Sequence, residues 1–182
     1  MRKLLNEELN RLTVDEYKKV KKIPVVLVLD NIRSLNNIGS AFRTADAFRV
    51  QAIYLCGITA KPPHRDINKT ALGATESVQW YYFDKTMDAV THLKTNGYKI
   101  ISIEQTDHAV MLNDFNPDEK ESYALVFGNE VMGVEDEVVN RSHLALEIPQ
   151  FGTKHSLNIS VSVGVVLWHF VCSTSWIKQI NR

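Results

Sequence analysis

Residues 148–170 read IPQFGTKHSLNISVSVGVVLWHF, and this stretch decides the fold. An apolar strand over residues 144–148 stops at Pro149, and a loop follows it. The segment 156–158, Ser-Leu-Asn, then opens a helix that is apolar on nearly every face. Polar side chains and free backbone N–H groups thus gather at one strand-to-helix junction, where open α/β proteins bind ligands. A helix that is apolar all round must be buried on more than one side, so a partner subunit is a natural candidate to cover it.

Upstream of this junction, apolar runs alternate with helical patterns. The predicted strands cover residues 25–30, 52–56, 78–83, 99–103, 125–128 and 144–148. The predicted helices cover residues 13–21, 38–48, 70–77, 84–95 and 134–140, followed by the apolar helix. Asp84 is the N-cap candidate of the helix over 84–95. The loop before the helix over 38–48 runs through Asn36 and Asn37. Such alternation predicts an α/β fold with a parallel sheet covered by helices.

Length and composition indicate one cytoplasmic domain. A chain of 182 residues is long enough to bury a substantial core. No apolar run reaches the length of a membrane span, and the N-terminus lacks the apolar region of a signal peptide. Cys56 and Cys172 stand in apolar surroundings without metal-ligand spacing, which predicts two buried thiols in a reducing compartment.

The formal net charge is zero, which argues against a strongly basic nucleic-acid binder, but the charges are unevenly distributed. A basic cluster near the N-terminus consists of Lys18, Lys19, Lys21 and Lys22. A second basic region contains Lys61, Arg65 and Lys69. Each cluster alone is typical of solvated surface, whereas together they are suited to follow a phosphate backbone. Residues 1–22 are therefore predicted to form a short basic helical arm, and residues 23–182 the main domain.

Common catalytic signatures are missing from the sequence. It has no glycine-rich dinucleotide fingerprint, no P-loop and no nucleophile elbow of the Gly-x-Ser-x-Gly type. It also lacks the His-Glu-x-x-His motif and any cysteine pair at metal spacing. These absences weigh against hydrolases and metalloenzymes, and we predict no metal.

Three polar junctions remain, each at the end of an apolar strand, over residues 31–44, 127–134 and 148–160. They hold half of the eight glycines, which permit close approach of the backbone to a ligand. Taken singly, Arg43 is typical of a surface salt bridge and Glu130 of a solvated loop. Ser156 and Asn158 are typical helix-capping residues. Their recurrence at successive strand ends favours one shared site.

The junctions resemble the motifs of the SpoU branch of the SPOUT RNA methyltransferases, also called the TrmH family. The resemblance covers roughly residues 25–171. The motifs are Asn37-x-Gly39-x-x-x-Arg43, then Gly128-x-Glu130-x-x-Gly133, then Ile148-Pro149 followed by Ser156-Leu157-Asn158-x-Ser160. One departure is Ser162, where members usually have alanine, and it affects the packing of the last helix.

This resemblance implies a parallel-sheet SPOUT fold with a C-terminal deep trefoil knot, which is a rare topology. It implies S-adenosyl-L-methionine as the cofactor, and a homodimer whose site is completed across the interface. The implied acceptor is a ribose 2′-hydroxyl of tRNA or rRNA. The implied cofactor-binding residues are Ile103, Glu104, Gly128, Ile148 and Leu157. The predicted RNA-binding residues are Arg43, from the resemblance, and Lys18, Lys19, Lys21, Lys22 and Arg65, from the two basic clusters.

The implied catalytic residues are Arg43, Asn37, Glu130, Ser156 and Asn158. The family proposal makes the arginine a general base, but a guanidinium stays protonated in proteins. We expect Arg43 instead to hold the hydroxyl and a neighbouring phosphate and to stabilise developing alkoxide charge. Glu130 is expected to orient Arg43, the two asparagines to fix loops and substrate, and Ser156 to cap the last helix.

Two alternatives stay open from the sequence. One is a non-catalytic RNA-binding or assembly module of the same fold, which the intact motif residues disfavour. The other is a SPOUT methyltransferase that acts on a base, which the Ser-Leu-Asn junction at residues 156–158 disfavours.

Overall fold

The computed structural model describes residues 1–176 and 178, which form the predicted α/β fold. The strands are β1 (Ile23–Asp30), β2 (Val50–Cys56), β3 (Trp80–Phe83), β4 (Tyr98–Ile103), β5 (Val110–Met111), β6 (Ser122–Phe127) and β7 (Leu144–Glu147). The helices are α1 (Val14–Lys19), α2 (Leu35–Ala47), α3 (Arg65–Ala71), α4 (Ala74–Ser77), α5 (Thr86–Thr95), α6 (Asp136–Arg141) and α7 (Ile159–Cys172). Two 3₁₀ turns cover Asn6–Leu9 and Leu112–Asp114. The end of the predicted domain 23–182 lies outside the described residues.

The strands of the described region form one parallel sheet in the order β3-β2-β1-β6-β4-β7-β5. Because they are parallel, the carboxyl ends of β1, β6, β4 and β7 all open on the same edge of the sheet. Strand β6 lies between β1 and β4 although it follows both in sequence, so the chain returns into the middle of the sheet. The trefoil knot implied by the resemblance stays a prediction.

Helices cover both faces of the sheet. In β1, Leu27 belongs to the core beneath α2 and α7, whereas its neighbour Val28 belongs to the core beneath α5 and α6. Central strands that are buried on both faces must be apolar at every position. This explains why β1 reads in the sequence as a continuous apolar run rather than as an alternating pattern.

The first helix after β1 starts earlier than the sequence predicts. The Ser34 hydroxyl accepts a hydrogen bond from the Asn37 N–H at 3.3 Å and caps α2, which therefore begins at Leu35 instead of residue 38. Asn37 consequently lies in the first turn of a helix and not in a loop. Its position is thereby fixed by helix geometry at the carboxyl edge of the sheet.

Two predicted helix caps are wrong. Helix α7 begins at Ile159, and Asn158 is its N-cap, accepting the Ser160 N–H at 2.8 Å. Ser156 lies two residues before the cap, in an exposed loop. In α5 the N-cap position is Lys85, with no side-chain cap, rather than Asp84.

Three further features differ from or extend the prediction. Strand β5 is missed because two exposed residues carry no periodic pattern. Cys56 is buried as predicted, whereas Cys172 is exposed at the end of α7. The basic arm is not detached, because Tyr17 of α1 is 5% exposed and belongs to the main core.

No helix within the described residues is long and apolar enough to cross a membrane.

Candidate functional site

A cleft of about 530 Å³ opens at the carboxyl edge of the sheet. Its walls are the residues that follow β4, β6 and β7 and the approach to α7. The five predicted cofactor-binding residues all line it: Ile103, Glu104, Gly128, Ile148 and Leu157. Three predicted catalytic residues line it as well: Glu130, Ser156 and Asn158. The structure therefore brings the second and third motifs together around one cavity.

The chemistry of this cleft is apolar and acidic. Apolar residues that are at least partly exposed, such as Ile103, Ile148 and Leu157, form part of its lining. Its described lining includes the carboxylates of Glu104, Glu130 and Glu147 and neither a lysine nor an arginine. Such a cavity suits a ligand with a flat apolar part and a positive charge, and repels phosphate. Among the residues that the structure describes, no group of three or more His, Cys, Asp or Glu could hold a metal ion.

Asn37 links the three motifs by direct hydrogen bonds. Its Nδ2 donates to Glu130 Oε1 at 2.9 Å, and its Oδ1 accepts from Asn158 Nδ2 at 3.2 Å. Glu130 and Asn158 lie 93 and 121 positions after Asn37 along the chain. The amide of Asn37 thus sets the position of both a carboxylate and a helix cap on the rim of the cleft.

The start of α7 differs from the sequence-based assignment of roles. Asn158 is both the helix cap and the partner of Asn37, whereas Ser156 lines the cleft without capping. Ser162, the departure from the family pattern, lines the cleft too, and its hydroxyl donates to the Asn158 carbonyl at 3.3 Å. The extra hydroxyl therefore finds a partner within its own helix.

The loop after β6 is held by very close backbone packing. A Cβ built on Gly128 would lie 2.0 Å from the Gly133 carbonyl carbon and 2.1 Å from the Val134 nitrogen. Gly133 has φ +71°, a left-handed conformation that favours glycine. Asn129 and Gly133 also exchange two backbone hydrogen bonds at 2.9 Å. Both motif glycines are therefore required by the shape of this loop, which forms one wall of the cleft.

The carboxylate of Glu104, besides lining the cleft, supports the loop. Its Oε2 accepts the Val134 N–H at 2.9 Å, and its Oε1 accepts the Gln105 N–H at 2.9 Å. Gln105 in turn donates its Nε2 to the His155 carbonyl at 3.1 Å. Glu104 and Gln105 thus join the segments after β4, β6 and β7 around the cleft.

Two positioning residues were missed from the sequence, Asn129 and Asp30. Buried Asn129 donates its Nδ2 to the Asn31 carbonyl at 2.8 Å and accepts the Val131 N–H at 2.9 Å. An asparagine in a glycine-bounded loop is a recognisable signal for such an Asx turn. Fully buried Asp30 accepts the Glu135 N–H at 2.9 Å at the far end of the loop.

The pKa of Glu135, whose N–H donates to the buried carboxylate of Asp30, is shifted by its surroundings. Burial, and secondly the nearby charge of Asp30, raise the pKa of Glu135 above its usual value. The Asn31 amide, which donates to Glu135 Oε1 at 2.7 Å, opposes this shift. The sequence offered no signal for this pair, because Asp30 reads as the last residue of an apolar strand.

Arg43 lies away from the cleft. Six residues along an α-helix correspond to about 9 Å of rise and to about 120° between the two side chains by the shorter way round. Arg43 therefore cannot share the face on which Asn37 meets Glu130. It is exposed and lines a second cavity, of about 730 Å³, beside the basic arm. Within the described residues its guanidinium makes no hydrogen bond or ion pair.

The predicted RNA-binding lysines do not form a uniform group. Lys22 folds back on α1, donates to the Tyr17 and Val20 carbonyls, and lies 4.3 Å from the Tyr17 ring centroid. Burial, and secondly Arg49, lower the pKa of Lys22. Its ammonium thus serves the fold of the arm. Lys18, Lys19, Lys21 and Arg65 are exposed.

Comparison with known proteins agrees with this architecture. The model of the SpoU rRNA methylase family matches residues 24–168. A 23S rRNA (guanosine-2′-O-)-methyltransferase, RlmB, of Neisseria meningitidis is 31% identical over 153 residues, which are 84% of this chain and 60% of that protein. A tRNA (guanosine(18)-2′-O)-methyltransferase of Aquifex aeolicus is 30% identical over 169 residues, which are 91% of this chain and 76% of that protein.

The fold is shared with solved structures. An AdoMet-bound rRNA methyltransferase from Sinorhizobium meliloti superposes with a TM-score of 0.74 at 23% identity, covering 86% of this chain and 58% of that one. This chain therefore spans only about 60% of the length of the Neisseria and Sinorhizobium proteins. At this identity the superposition establishes the α/β architecture of the sheet and its helices.

Proposed function

Because the chain belongs to the SpoU rRNA methylase family, we propose that it transfers a methyl group from S-adenosylmethionine to a ribose 2′-hydroxyl of tRNA or rRNA. The observation that carries this proposal is the hydrogen-bonded meeting of Asn37, Glu130 and Asn158, one from each motif, on the rim of an acidic cleft. The curated relatives named above are 2′-O-methyltransferases of tRNA and rRNA. The protein is expected to act in the cytoplasm.

The cleft fits the proposed cofactor. Its apolar residues offer a surface for an adenine ring, and its three glutamates favour a sulfonium and an ammonium over an anion. The cofactor supplies a methyl group already activated by the sulfonium. Glu104 and Asn129 accept N–H groups of loop 128–134, and Asp30 accepts the Glu135 N–H just beyond it, so the chain presents hydrogen-bonded, preformed backbone to the ligand.

The acceptor side of the site requires a second copy of the chain. The one arginine in the three motifs, Arg43, faces away from the cleft of its own protomer. A symmetric homodimer brings Arg43 of one copy to the cleft of the other without any change of fold. There the guanidinium holds the ribose hydroxyl and a phosphate and stabilises negative charge on the oxygen, while Glu130 on the cleft rim orients it.

The dimer surface is an exposed apolar stripe along α7. Val161, Val165 and Trp168 recur at helical spacing on α7 and are 50%, 38% and 56% exposed, and Leu157, just before the helix, is 40% exposed. The stripe begins at the cleft, since Leu157 lines it. Trp168 also reaches α2's C-terminal end, with its ring 6.4 Å from that of Phe48. An interface on this stripe therefore borders both the cleft and the helix that carries Arg43.

Two charge substitutions in α7 should have different outcomes. Leu167→Asp should unfold the protein, because Leu167 is fully buried and an uncompensated charge there costs several kcal/mol. Val165→Asp should give a folded monomer, because Val165 is exposed in the single chain and covered only in the dimer. Circular dichroism and sedimentation velocity at micromolar concentration separate the two effects.

Val110→Asp is the matched control, since Val110 on edge strand β5 is 37% exposed, close to the 38% of Val165, and is not one of the stripe residues. It should remain folded and dimeric. A dimeric Val165→Asp protein would place the interface elsewhere. A monomeric wild type would show that the proposed dimer does not form.

The proposed reaction is tested by the alkali resistance of the product. Unmodified transcripts of tRNA and of rRNA are incubated with the protein and with S-adenosylmethionine labelled in the methyl group, then hydrolysed in alkali. A 2′-O-methyl group blocks cleavage of the adjoining phosphodiester, so the label should appear in dinucleotides. Label in mononucleotides would indicate methylation of a base, and an absence of label would favour a non-catalytic RNA-binding module.

A further inference from the structure

The second cavity differs from the cofactor cleft in the sign of its charge. Its lining contains the guanidiniums of Arg11, Arg43 and Arg49 and the carboxylates of Asp46 and Glu76. One of these carboxylates, Asp46, already accepts the Ser77 hydroxyl. The two cavities share no lining residue. Three arginines against two acids leave this lining with a net positive charge, which favours an anion, whereas the cleft with its three glutamates disfavours one.

The walls of this cavity are formed by defined elements of the fold. One wall is the arm, whose Thr13 and Glu16 form a reciprocal capping box and whose Tyr17 is anchored in the core. The floor is the outer face of α2, which carries Arg43. The opposite wall is the turn at Leu72 and Gly73, both left-handed, with φ +49° and +90°. With a volume of about 730 Å³ the groove accommodates a nucleotide.

We propose that this groove binds the RNA backbone on both sides of the acceptor nucleotide, with Arg11 and Arg49 as phosphate ligands next to Arg43. The proposal rests on the proposed ribose methylation, which requires Arg43 to meet the RNA. The planar fork of an arginine matches a phosphate bidentately, and phosphate contacts set the register of a nucleic acid on a protein. The arm then acts as a structural part of the acceptor site. In the dimer, RNA lies in the groove of one copy and offers its ribose to the cleft of the other.

Salt dependence of RNA binding tests the two arginines. Filter binding of unfractionated bacterial tRNA, and of ribosomal RNA in parallel, is measured over a range of salt concentrations. Arg11→Ala and Arg49→Ala should each weaken binding about tenfold or more at low salt. Each should also lower the slope of log K against log salt by about one, the signature of a lost phosphate contact. Arg141→Ala removes an exposed arginine at the end of α6, outside the groove, and should change neither quantity.

A second pair of variants tests the groove at Leu72 and leaves half-buried Arg49 unchanged. Its result therefore does not depend on any structural role of that arginine. Leu72 is 65% exposed and left-handed, a conformation that asparagine and aspartate tolerate. Leu72→Asp places a negative charge in the groove, whereas Leu72→Asn has nearly the same shape without the charge. The aspartate variant should bind RNA about tenfold more weakly than the asparagine variant at low salt and approach it at high salt.

The outcomes separate this proposal from the proposed function. If wild type binds RNA and methylates it, but Arg11→Ala keeps the wild-type affinity and salt slope and the two Leu72 variants bind alike, the groove is not the RNA site. If wild type binds neither tRNA nor ribosomal RNA, the proposed function fails as well. Weakened binding in Arg11→Ala together with unchanged calorimetric binding of S-adenosylmethionine would support the groove alone, whatever the reaction proves to be.

Discussion

Arg43→Ala and Arg43→Lys should lose methyl transfer by about 100-fold or more, the scale for removal of one preorganised donor. Both should bind S-adenosylmethionine as wild type does, because Arg43 lies outside the cofactor cleft of its own chain. Lysine keeps the positive charge but loses the planar fork, so it should not rescue the reaction. Single-turnover methylation and calorimetric titration of the cofactor, on the same preparations, measure the two effects separately.

Glu130→Gln tests the proposed orienting role of the carboxylate. It should lose less activity than Arg43→Ala, because the amide retains the shape and an acceptor for Asn37. Near wild-type turnover in Arg43→Ala would remove Arg43 from the reacting centre. Parallel loss of cofactor binding and activity would place it in the cofactor site instead. A wild-type rate that rises with pH and becomes flat in Arg43→Lys would support general-base catalysis by the arginine.

Gly128→Ala should abolish detectable binding of S-adenosylmethionine. The added Cβ would lie 2.0 Å from backbone of Gly133, which cannot move aside as a flexible side chain would. Overpacking of this kind costs about 1–3 kcal/mol, and the loop that walls the cleft must shift to relieve it. Calorimetric titration of the cofactor and a thermal melt of the free protein measure the two consequences.

Gly152→Ala is the matched control for this substitution. It makes the same chemical change in the neighbouring loop, but its Cβ would meet nothing within 4 Å. Cofactor affinity and melting temperature should therefore stay near the wild-type values. Normal cofactor binding by Gly128→Ala would show that loop 128–134 does not wall the cofactor site.

The sequence predicts the sheet well, and it brings the residues expected to bind the cofactor to one place, for identifiable reasons. The run from Val25 to Asp30 is apolar throughout because β1 is buried on both faces. Strand ends in a parallel sheet share one edge, so the polar segments after β4, β6 and β7 had to meet. The five residues expected to bind the cofactor accordingly line a single cleft.

Other features were beyond prediction from the sequence because they depend on distant partners. The roles of Asp30 and Asn129 arise from backbone groups 105 and 98 residues away. The start of α2 depends on whether Ser34 or a later residue caps the helix, and local propensities do not decide between them. The separation of Arg43 from Asn37 follows from helical geometry only once both residues are known to lie in α2.

The shared site is the central claim, and subunit complementation tests it most directly. Arg43→Ala and Gly128→Ala chains should each have little or no activity alone, and they are mixed under conditions that exchange subunits. Half of the dimers should become mixed. In each mixed dimer, one of the two sites then combines the intact cleft of the Arg43→Ala chain with the intact Arg43 of the Gly128→Ala chain. We expect recovery of up to about one quarter of wild-type methyl transfer from a symmetric dimer. A mixture that stays as inactive as its components, although sedimentation of tagged chains shows exchange, would contradict a site built from two copies.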